Sequence, residues 1–456
     1  VFVRDGRIYR RLHSAGAAVW ERFSRSEVAE SFTRQGRLVS TWIAADVDVA
    51  ACVALDAPGM TSGSEGVVLE HERVPVVTYA HEWSFSMLRD AALLHLDLME
   101  ALIPAGFTLK DANPANVQWR EGRACLIDVS SVADYSGGPW TAYGQFCRTM
   151  LFPLMSSAWG QLPLSPLLKG HGADGMPVAT AARLLRGRAS LRRGVMLHVR
   201  LQAWLHRISE GGQGDAKGMT ATITPDSVLR LVSSLRRALI ALPTPTRTAW
   251  TGYRFTSTYS TEQSARKETV IDQWCEAHVT RLHTVLDVGC NTGDYSRLLA
   301  THAGLVIGID ADSACIDEVY RRQLSNVLPL VVDAASPSPA AGWAYGEQAT
   351  FDARIQADWS VWLAVIHHLA IHNGIRLDEV VRRMAATSPQ LIVEFVAPED
   401  AMVRALLTER GIERPDYTEL AFQALCTANG LDTLDRRDIT PTRVLYLFKR
   451  KNATCS

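Results

Sequence analysis

The stretch VLDVGCNTGDYS, Val285 to Ser296, sets an acid among apolar residues, then two glycines four apart, Gly289 and Gly293, then a polar helix start. A chain that must turn sharply and let a ligand touch its backbone uses glycine at such a corner. Asp310 follows 21 residues after Gly289, at the end of an apolar run where a carboxylate can accept hydrogen bonds from a ribose diol. Asp333 ends the next run, and Asp287 sits inside the glycine motif itself. Loop polarity alone does not explain acids at the ends of successive apolar runs. A nicotinamide dinucleotide is the rival ligand, but GCNTG lacks the G-x-G-x-x-G spacing that fits a pyrophosphate against a helix N-terminus.

Further along, AVIHHLAIHNG carries His367, His368 and His372. A histidine near neutral pKa can take a proton from an attacking hydroxyl or amine, so either His367 or His368 is a candidate base; the alternative is that one of them only packs or bonds backbone. His372 is expected on the surface. Glu394, in LIVEFVAPED, ends another apolar run and either binds substrate or pairs with an arginine, since a buried carboxylate needs a partner. Ahead of the glycine motif, Tyr253, Tyr259 and Lys267 lie on a segment that could fold across a pocket or be an ordinary amphipathic helix. Trp343, Trp359 and Trp362 could shape a pocket, although tryptophans in apolar strands usually pack in the core.

Positioning these groups requires a sheet. From Thr284 onward short apolar runs alternate with helical patterns, as in a parallel sheet with crossover helices. TVLDV, LVIGID, LPLVVD, WSVWLAVI, QLIVEFV, LDTLDRRDI and RVLYLFKR are the predicted strands, and ligands of such sheets sit outside the carboxyl ends of the strands. PDSVLRLVSSLRRALIAL has helical spacing behind a Pro-Asp start and predicts a helix closing an earlier domain. Breaker-rich EGGQGDAKG and LPTPTRTAW flank it, and the second marks the expected boundary between domains 1–245 and 246–456.

At 456 residues the chain exceeds one ordinary core. Its 47 basic and 48 acidic side chains nearly cancel, so no overall field draws in nucleic acid or an anionic membrane. Eight dispersed cysteines, with no C-x-x-C pair and no histidines at ligand spacing, read as reduced, mostly buried thiols rather than a metal site. VFVRDGRIYRR is charged where a signal peptide needs an apolar core, and no run approaches the ~20 apolar residues that span a bilayer. A soluble, cytoplasmic protein without a membrane partner is expected, and because the chain opens on Val1 a few further starting residues are expected ahead of it. ARLLRGRASLRRGVMLHVRLQAWLHR, Ala182 to Arg207, holds seven arginines and no acid. Such a patch can attract phosphate or nucleic acid, but arginines are common on solvated helix faces and no stacking platform accompanies them.

The glycine corner with Asp287, Asp310 and Asp333 resembles the class I S-adenosylmethionine-dependent methyltransferases, over roughly Tyr253 to Arg450. The resemblance implies that Gly289 and Gly293, with Cys290 and Asn291 between them, line the S-adenosyl-L-methionine backbone. It implies that Asp287 helps hold the amino group, that Asp310 with Ala311 meets the ribose, and that Asp333 with Ala334 meets the adenine. His367 and His368 would then face the methyl group, and Tyr259, Lys267 and Glu394 would contact a small-molecule acceptor. Many such enzymes work mainly by holding donor and acceptor in line, without a dedicated base.

The first half carries a second pattern. In TLKDANPANVQWREGRACLIDVSS, Asp111 and Asn116 stand five apart, and Asp128 follows a short apolar run after a hairpin-like REGRA. This resembles the catalytic loop and metal-binding acid of small-molecule kinases such as aminoglycoside phosphotransferases, which implies Asp111 as base and Asn116 and Asp128 as magnesium holders. The pattern departs from that family at Leu109, Lys110, Val129 and Ser130. No lysine precedes Lys110 and DAPGMTSGSEG lacks the glycine-loop spacing, so the usual phosphate clamp is missing. Arg10, Arg37 or Arg73 could replace the charge but not the compact ammonium. VVTYAHEWSFSMLRDAALLHLDLMEALI reads as a strand and a hinge at His81, Glu82 and Trp83, then a long amphipathic helix. The expected fold is α/β: a doubly wound, seven-stranded Rossmann-like methyltransferase sheet preceded by an α+β kinase-like domain without phosphoryl transfer. That combination resembles bacterial methyltransferases of the nodulation-protein type, which implies methyl transfer to an oxygen or nitrogen of a small molecule or sugar-containing metabolite.

Overall fold

The computed structural model describes residues 1–44, 66–204, 223–245 and 260–451. The chain divides into two compact units, Val1–Pro245 and Thr246–Ser456.

In the first unit, β1 (Phe2–Arg4), β2 (Arg7–His13), β3 (Thr41–Ile43) and β4 (Gly66–His71) make an antiparallel sheet in the order β1-β2-β4-β3. The strand expected from Val76 does not form. The side-chain amide of Gln118 takes its place: Thr78 N donates to Gln118 Oε1 at 2.7 Å, and Gln118 Nε2 donates to Thr78 O at 3.0 Å. With those backbone groups satisfied by a side chain, the segment needs no neighbouring strand and runs through a single turn at Ala80–Glu82. At this hinge Glu82 and Trp83 are fully buried, with Trp83 Nε1 donating to Thr78 Oγ1 at 2.8 Å, so both pack rather than reach outward.

Helix α1 (Phe85–Leu102) starts at Ser84, whose Oγ accepts from Met87 N at 3.3 Å. It is buried on most of its circumference rather than along one stripe, which makes it the central helix of its unit. Beyond it β5 (Phe107–Leu109), β6 (Val117–Arg120), β7 (Arg123–Leu126) and β8 (Val132–Asp134) form the antiparallel pairs β5-β8 and β6-β7. Glu121 and Gly122 both have positive φ, 49° and 73°, as a tight two-residue hairpin turn requires. The predicted closing helix is α2 (Pro225–Ile240), capped by Thr224.

The second unit opens with α3 (Thr261–His278), held at its start by a capping box: Gln263 N donates to Ser260 Oγ at 3.2 Å and Ser260 N to Gln263 Oε1 at 2.9 Å. Seven strands follow: β9 (Thr284–Val288), β10 (Leu305–Asp310), β11 (Val327–Val331), β12 (Trp359–Trp362), β13 (Gln390–Val396), β14 (Leu431–Thr440) and β15 (Arg443–Arg450). Their order is β11-β10-β9-β12-β13-β15-β14; the first five run parallel, and β15 is antiparallel to both β13 and β14. β9 is buried on both faces, so its residues show no alternation of apolar and polar, and Asp287 is the buried acid within it. β12 is shorter than the predicted WSVWLAVI. Ala364, at φ 54°, turns the backbone out of the sheet, so Leu363 to Val365 form a loop above the strand end before the chain turns helical at Ile366. Trp359 and Trp362 are core residues, whereas Trp343 is 86% exposed.

The chain leaves β11 and re-enters the sheet at β12 on the other side of β9, so the switch point falls between β9 and its neighbours. Among the described residues no helix is long and apolar enough to cross a membrane. Cys125, Cys147, Cys275, Cys290, Cys315 and Cys426 are buried free thiols; Cys52 and Cys455 lie outside the described residues.

Candidate functional site

The corner after β9 is built by backbone geometry. Gly289 and Gly293 have φ of 69° and 80°, and Asn291 between them has φ 49°, so the chain folds back within five residues. Gly289 N and Cys290 N both donate to Ile309 O, at 2.8 and 3.0 Å, tying the corner to the end of β10. Asp310 completes the tie: its Oδ2 accepts from Asn291 N at 2.9 Å and its Oδ1 from Asp312 N at 2.8 Å. Each oxygen keeps a second lone pair for another donor. Burial raises the Asp310 carboxyl above its usual range, against the pull of those two backbone donors.

Two cavities open at this corner, of about 340 and 310 Å³, and they share Gly289, Asn291, Leu363 and Ala364 in their walls. The first is also lined by Thr261, Ser264, Lys267, Glu268, Asp287, Cys290, Asp294, Tyr295 and Arg443. The second takes in Asp310, Ala311, Asp312, Asp333, Ala334, His368, His372 and Asn373. The walls of the second carry three carboxylates and no lysine or arginine, which favours a ligand with positive charge or many donors.

Asp287 lies at the end of the first cavity, 2% exposed, and accepts from Ser296 Oγ at 2.6 Å. Burial pushes its carboxyl up to about 6, only partly offset by the Ser296 hydrogen bond. Asp333 accepts from Ala335 N at 2.8 Å and remains exposed.

Lys267 projects from α3 into the first cavity, buried, with Nζ 2.5 Å from Glu394 Oε2. Its ring neighbour is Tyr295, whose centroid is 4.8 Å from Nζ. Glu394 lines neither cavity; it lies behind the wall, with Oε1 3.5 Å from Arg443 Nη1, and Arg443 in turn reaches Asp400 at 2.8 Å. The result is an alternating buried chain, Lys267, Glu394, Arg443, Asp400, with a cation at the cavity wall at two points. Burial lowers the Lys267 pKa despite the Glu394 charge beside it. Arg443 and Asp400 carried no sequence motif. The one available signal was an arginine heading the apolar run RVLYLF, where a buried guanidinium needs a carboxylate.

The histidine pair divides. His368 stands on a π-helical turn, His368–His372, at the wall of the second cavity, and burial holds its pKa down at about 4. His367 is fully buried, lines neither cavity, and has no hydrogen-bond partner at either ring nitrogen; its ring centroid is 4.2 Å from that of His368. Burial drives its pKa well below the usual histidine range. His372 is exposed, at the rim. Tyr253 and Tyr259 lie outside the described residues.

In the first unit Asp111 Oδ1 accepts from Asn113 N at 3.1 Å, and Asn116 Nδ2 donates to Ser131 Oγ at 3.1 Å. Asp128 Oδ1 accepts from Ser130 N at 2.8 Å and lies 2.8 Å from Arg10 Nη1, a partner supplied by β2. Among the described residues no cluster of His, Cys, Asp and Glu is arranged to hold a metal ion.

No family model matches the chain. Nodulation protein NoeA of Rhizobium meliloti (strain 1021) is 32% identical to it over 461 residues, covering 99% of this chain and 94% of that protein. Among solved structures, the N-methyltransferase NodS of Bradyrhizobium japonicum WM9 in complex with S-adenosyl-l-homocysteine is 15% identical, with a TM-score of 0.32 over 42% of this chain and 88% of that one. Magnesium protoporphyrin IX methyltransferase of Synechocystis PCC 6803 with bound SAM is 16% identical, with a TM-score of 0.30 over 41% of this chain and 80% of that one.

Proposed function

The chain belongs to the family of nodulation protein NoeA, and from that premise we propose that its second unit is an S-adenosyl-L-methionine-dependent methyltransferase acting on an oxygen or nitrogen of a small molecule or sugar-containing metabolite. The observation that carries the reading is the placement of Asp287, Asp310 and Asp333 at the ends of three adjacent strands around one left-handed glycine corner. The donor set fits the cofactor: Asp287 is a carboxylate for an ammonium, Asp310 has free lone pairs for two ribose hydroxyls, and Asp333 is an exposed acceptor for an adenine amine.

When bound, S-adenosyl-L-methionine supplies a methyl group on a sulfonium sulfur; the C–S electron pair stays on sulfur as the acceptor's lone pair forms the new bond to carbon. The protein's own part is placement. Leu363 and Ala364, common to both cavities, form the septum beside which the reacting centre would lie, and their apolar side chains exclude water there. His368, neutral at pH 7, can accept the proton that the acceptor loses, but a pKa of about 4 makes it a weak base. Proximity and alignment therefore supply most of the acceleration. Lys267 and Arg443 fix the polar wall on the acceptor side of the first cavity.

Titration calorimetry with S-adenosyl-L-methionine tests this. Wild-type protein should bind it, and Asp310→Ala or Gly289→Val should abolish binding; heat from NAD with none from S-adenosyl-L-methionine would overturn the assignment.

For the first unit we read Asp111, Asn116 and Asp128 as a kinase-like loop that does not transfer phosphate. Arg10 supports this, because its guanidinium already neutralises the carboxylate that a magnesium ion would need. Magnesium-ATP should leave the melting temperature unchanged; consumption of ATP with a hydroxylated acceptor would restore the phosphotransferase reading.

A further inference from the structure

From Arg193 to Trp204 the first unit is continuously helical, with a π-turn at Met196–Arg200. Its inner face is fixed: Val195, Val199 and Ala203 are buried, and His198 bonds Tyr143 Oη at 3.0 Å through Nδ1 and Ser234 Oγ at 3.1 Å through Nε2. That anchoring sets which residues point outward. Met196, Leu197, Leu201 and Trp204 do, at 50%, 40%, 46% and 58% exposure, with Arg193 and Arg200 exposed among them. No acidic residue occurs anywhere between Ala182 and Trp204, while six arginines do. The near-zero net charge of the chain conceals this local segregation.

A solvated helix face would pair its arginines with acids and would not show four large apolar side chains together. Nucleic acid would satisfy the arginines but offers little to leucine and methionine, and a single tryptophan is no stacking platform. An anionic lipid headgroup layer offers both halves at once: phosphates for the guanidinium groups and an acyl boundary for the aliphatic chains and the indole. We propose that the Arg193–Trp204 helix docks this protein on the surface of a bilayer containing anionic phospholipid. The helix lies in the interface and does not span it: its described residues mix exposed arginines with apolar side chains, and among the described residues no helix is long and apolar enough to cross a membrane.

The test is flotation of the full chain with extruded vesicles of phosphatidylcholine alone or mixed with phosphatidylglycerol. Wild-type protein should float with the anionic vesicles at low salt at least ~10-fold more than with the neutral ones. Arg193→Gln and Arg200→Gln should each weaken partitioning about 5-fold, and Leu201→Ser with Trp204→Ser should weaken it at least ~10-fold at unchanged charge. All of these side chains are exposed, so an unchanged circular-dichroism melt separates lost docking from lost folding. The proposal is overturned if the protein ignores both vesicles, or if the Leu201→Ser, Trp204→Ser variant floats like wild type. It is equally overturned if an RNA oligonucleotide binds this face while vesicles do not, or if sedimentation shows a dimer that the same double variant dissociates.

Discussion

Lys267 Nζ lies 2.5 Å from Glu394 Oε2, and neither side chain is more than 4% exposed. A pair this deep has lost its hydration, and the partner, the adjoining Arg443 and the Tyr295 ring help to offset that loss. Removing the carboxylate takes from Lys267 the charge nearest its ammonium, while Arg443 keeps Asp400 at 2.8 Å, so Glu394→Ala should cost about 3–5 kcal/mol. Lys267→Met should cost less, because Arg443 still faces Glu394. The double change Lys267→Met, Glu394→Gln should recover part of the loss. Urea denaturation of the three variants measures the order; a Glu394→Ala protein as stable as wild type would show that the pair contributes nothing.

Asp287 predicts two opposite pH effects. Its folded pKa, about 6, lies above the ordinary aspartate value of 3.8, so the folded state keeps this proton longer than the unfolded state. The contribution to stability is fully present below 3.8 and is lost as pH rises through about 6, a cost on the order of 3 kcal/mol by neutral pH. Asp287→Asn should therefore stabilise the ligand-free protein at pH 7 to 8 and change little near pH 4. Binding runs the other way, because an ammonium ligand needs the ionised carboxylate. Calorimetric affinity for S-adenosyl-L-methionine should fall about tenfold per pH unit below about 6 in wild type; a flat profile from pH 5 to 8 would remove Asp287 from the ligand's contacts.

Gly289 is constrained from two sides. Its φ of 69° is disfavoured for any residue with a Cβ, and a Cβ there would stand 2.5 Å from Val365 Cγ2. Gly289→Ala should thus cost about 1–2 kcal/mol from the backbone alone and should also push Val365, and with it the Leu363–Ala364 wall common to both cavities. Adding Val365→Ala removes the steric part and leaves the backbone part. Partial rescue of ligand affinity by the second change is the expected result; no rescue would mean that the backbone conformation, not the packing, is what the ligand requires.

What the sequence disclosed and what it hid follow from range. Most of β9 to β15 were legible because they are local runs of apolar residues, with the largely exposed β14 the exception, and Asp287, Asp310 and Asp333 because each sits at the end or in the turn of such a run. Lys267 and Glu394 are 127 residues apart, and no local pattern says that they meet. Arg443 and Asp400 were missed for the same reason. The strand lost at Val76 had the right composition, but Gln118, 40 residues beyond Thr78, supplied the hydrogen bonds that a neighbouring strand would have made. The end of β12 was misplaced because a single left-handed alanine, Ala364, decides it, and alanine carries no such preference.

The adjacent histidines should behave as unlike residues. His367 is buried with both ring nitrogens unpartnered, a state that costs stability while it lasts. Replacing it with leucine removes two unsatisfied polar atoms at similar volume, so His367→Leu should leave urea stability unchanged or raise it by about 1 kcal/mol. His368 lines the wall of the second cavity and is not among the buried side chains left without a hydrogen-bond partner, so His368→Ala should not stabilise. In spectra of protein with labelled histidine, the His368 ring should stay neutral down to about pH 4, and the His367 ring should stay neutral as long as the fold persists. Transfer of radiolabelled methyl from S-adenosyl-L-methionine into a cell extract should then fall about 10-fold in His368→Ala, less than for a base whose pKa matches the working pH, and stay near wild type in His367→Leu. Equal losses in both variants would mean that the pair acts by packing beneath the ligand, and that no proton passes through His368.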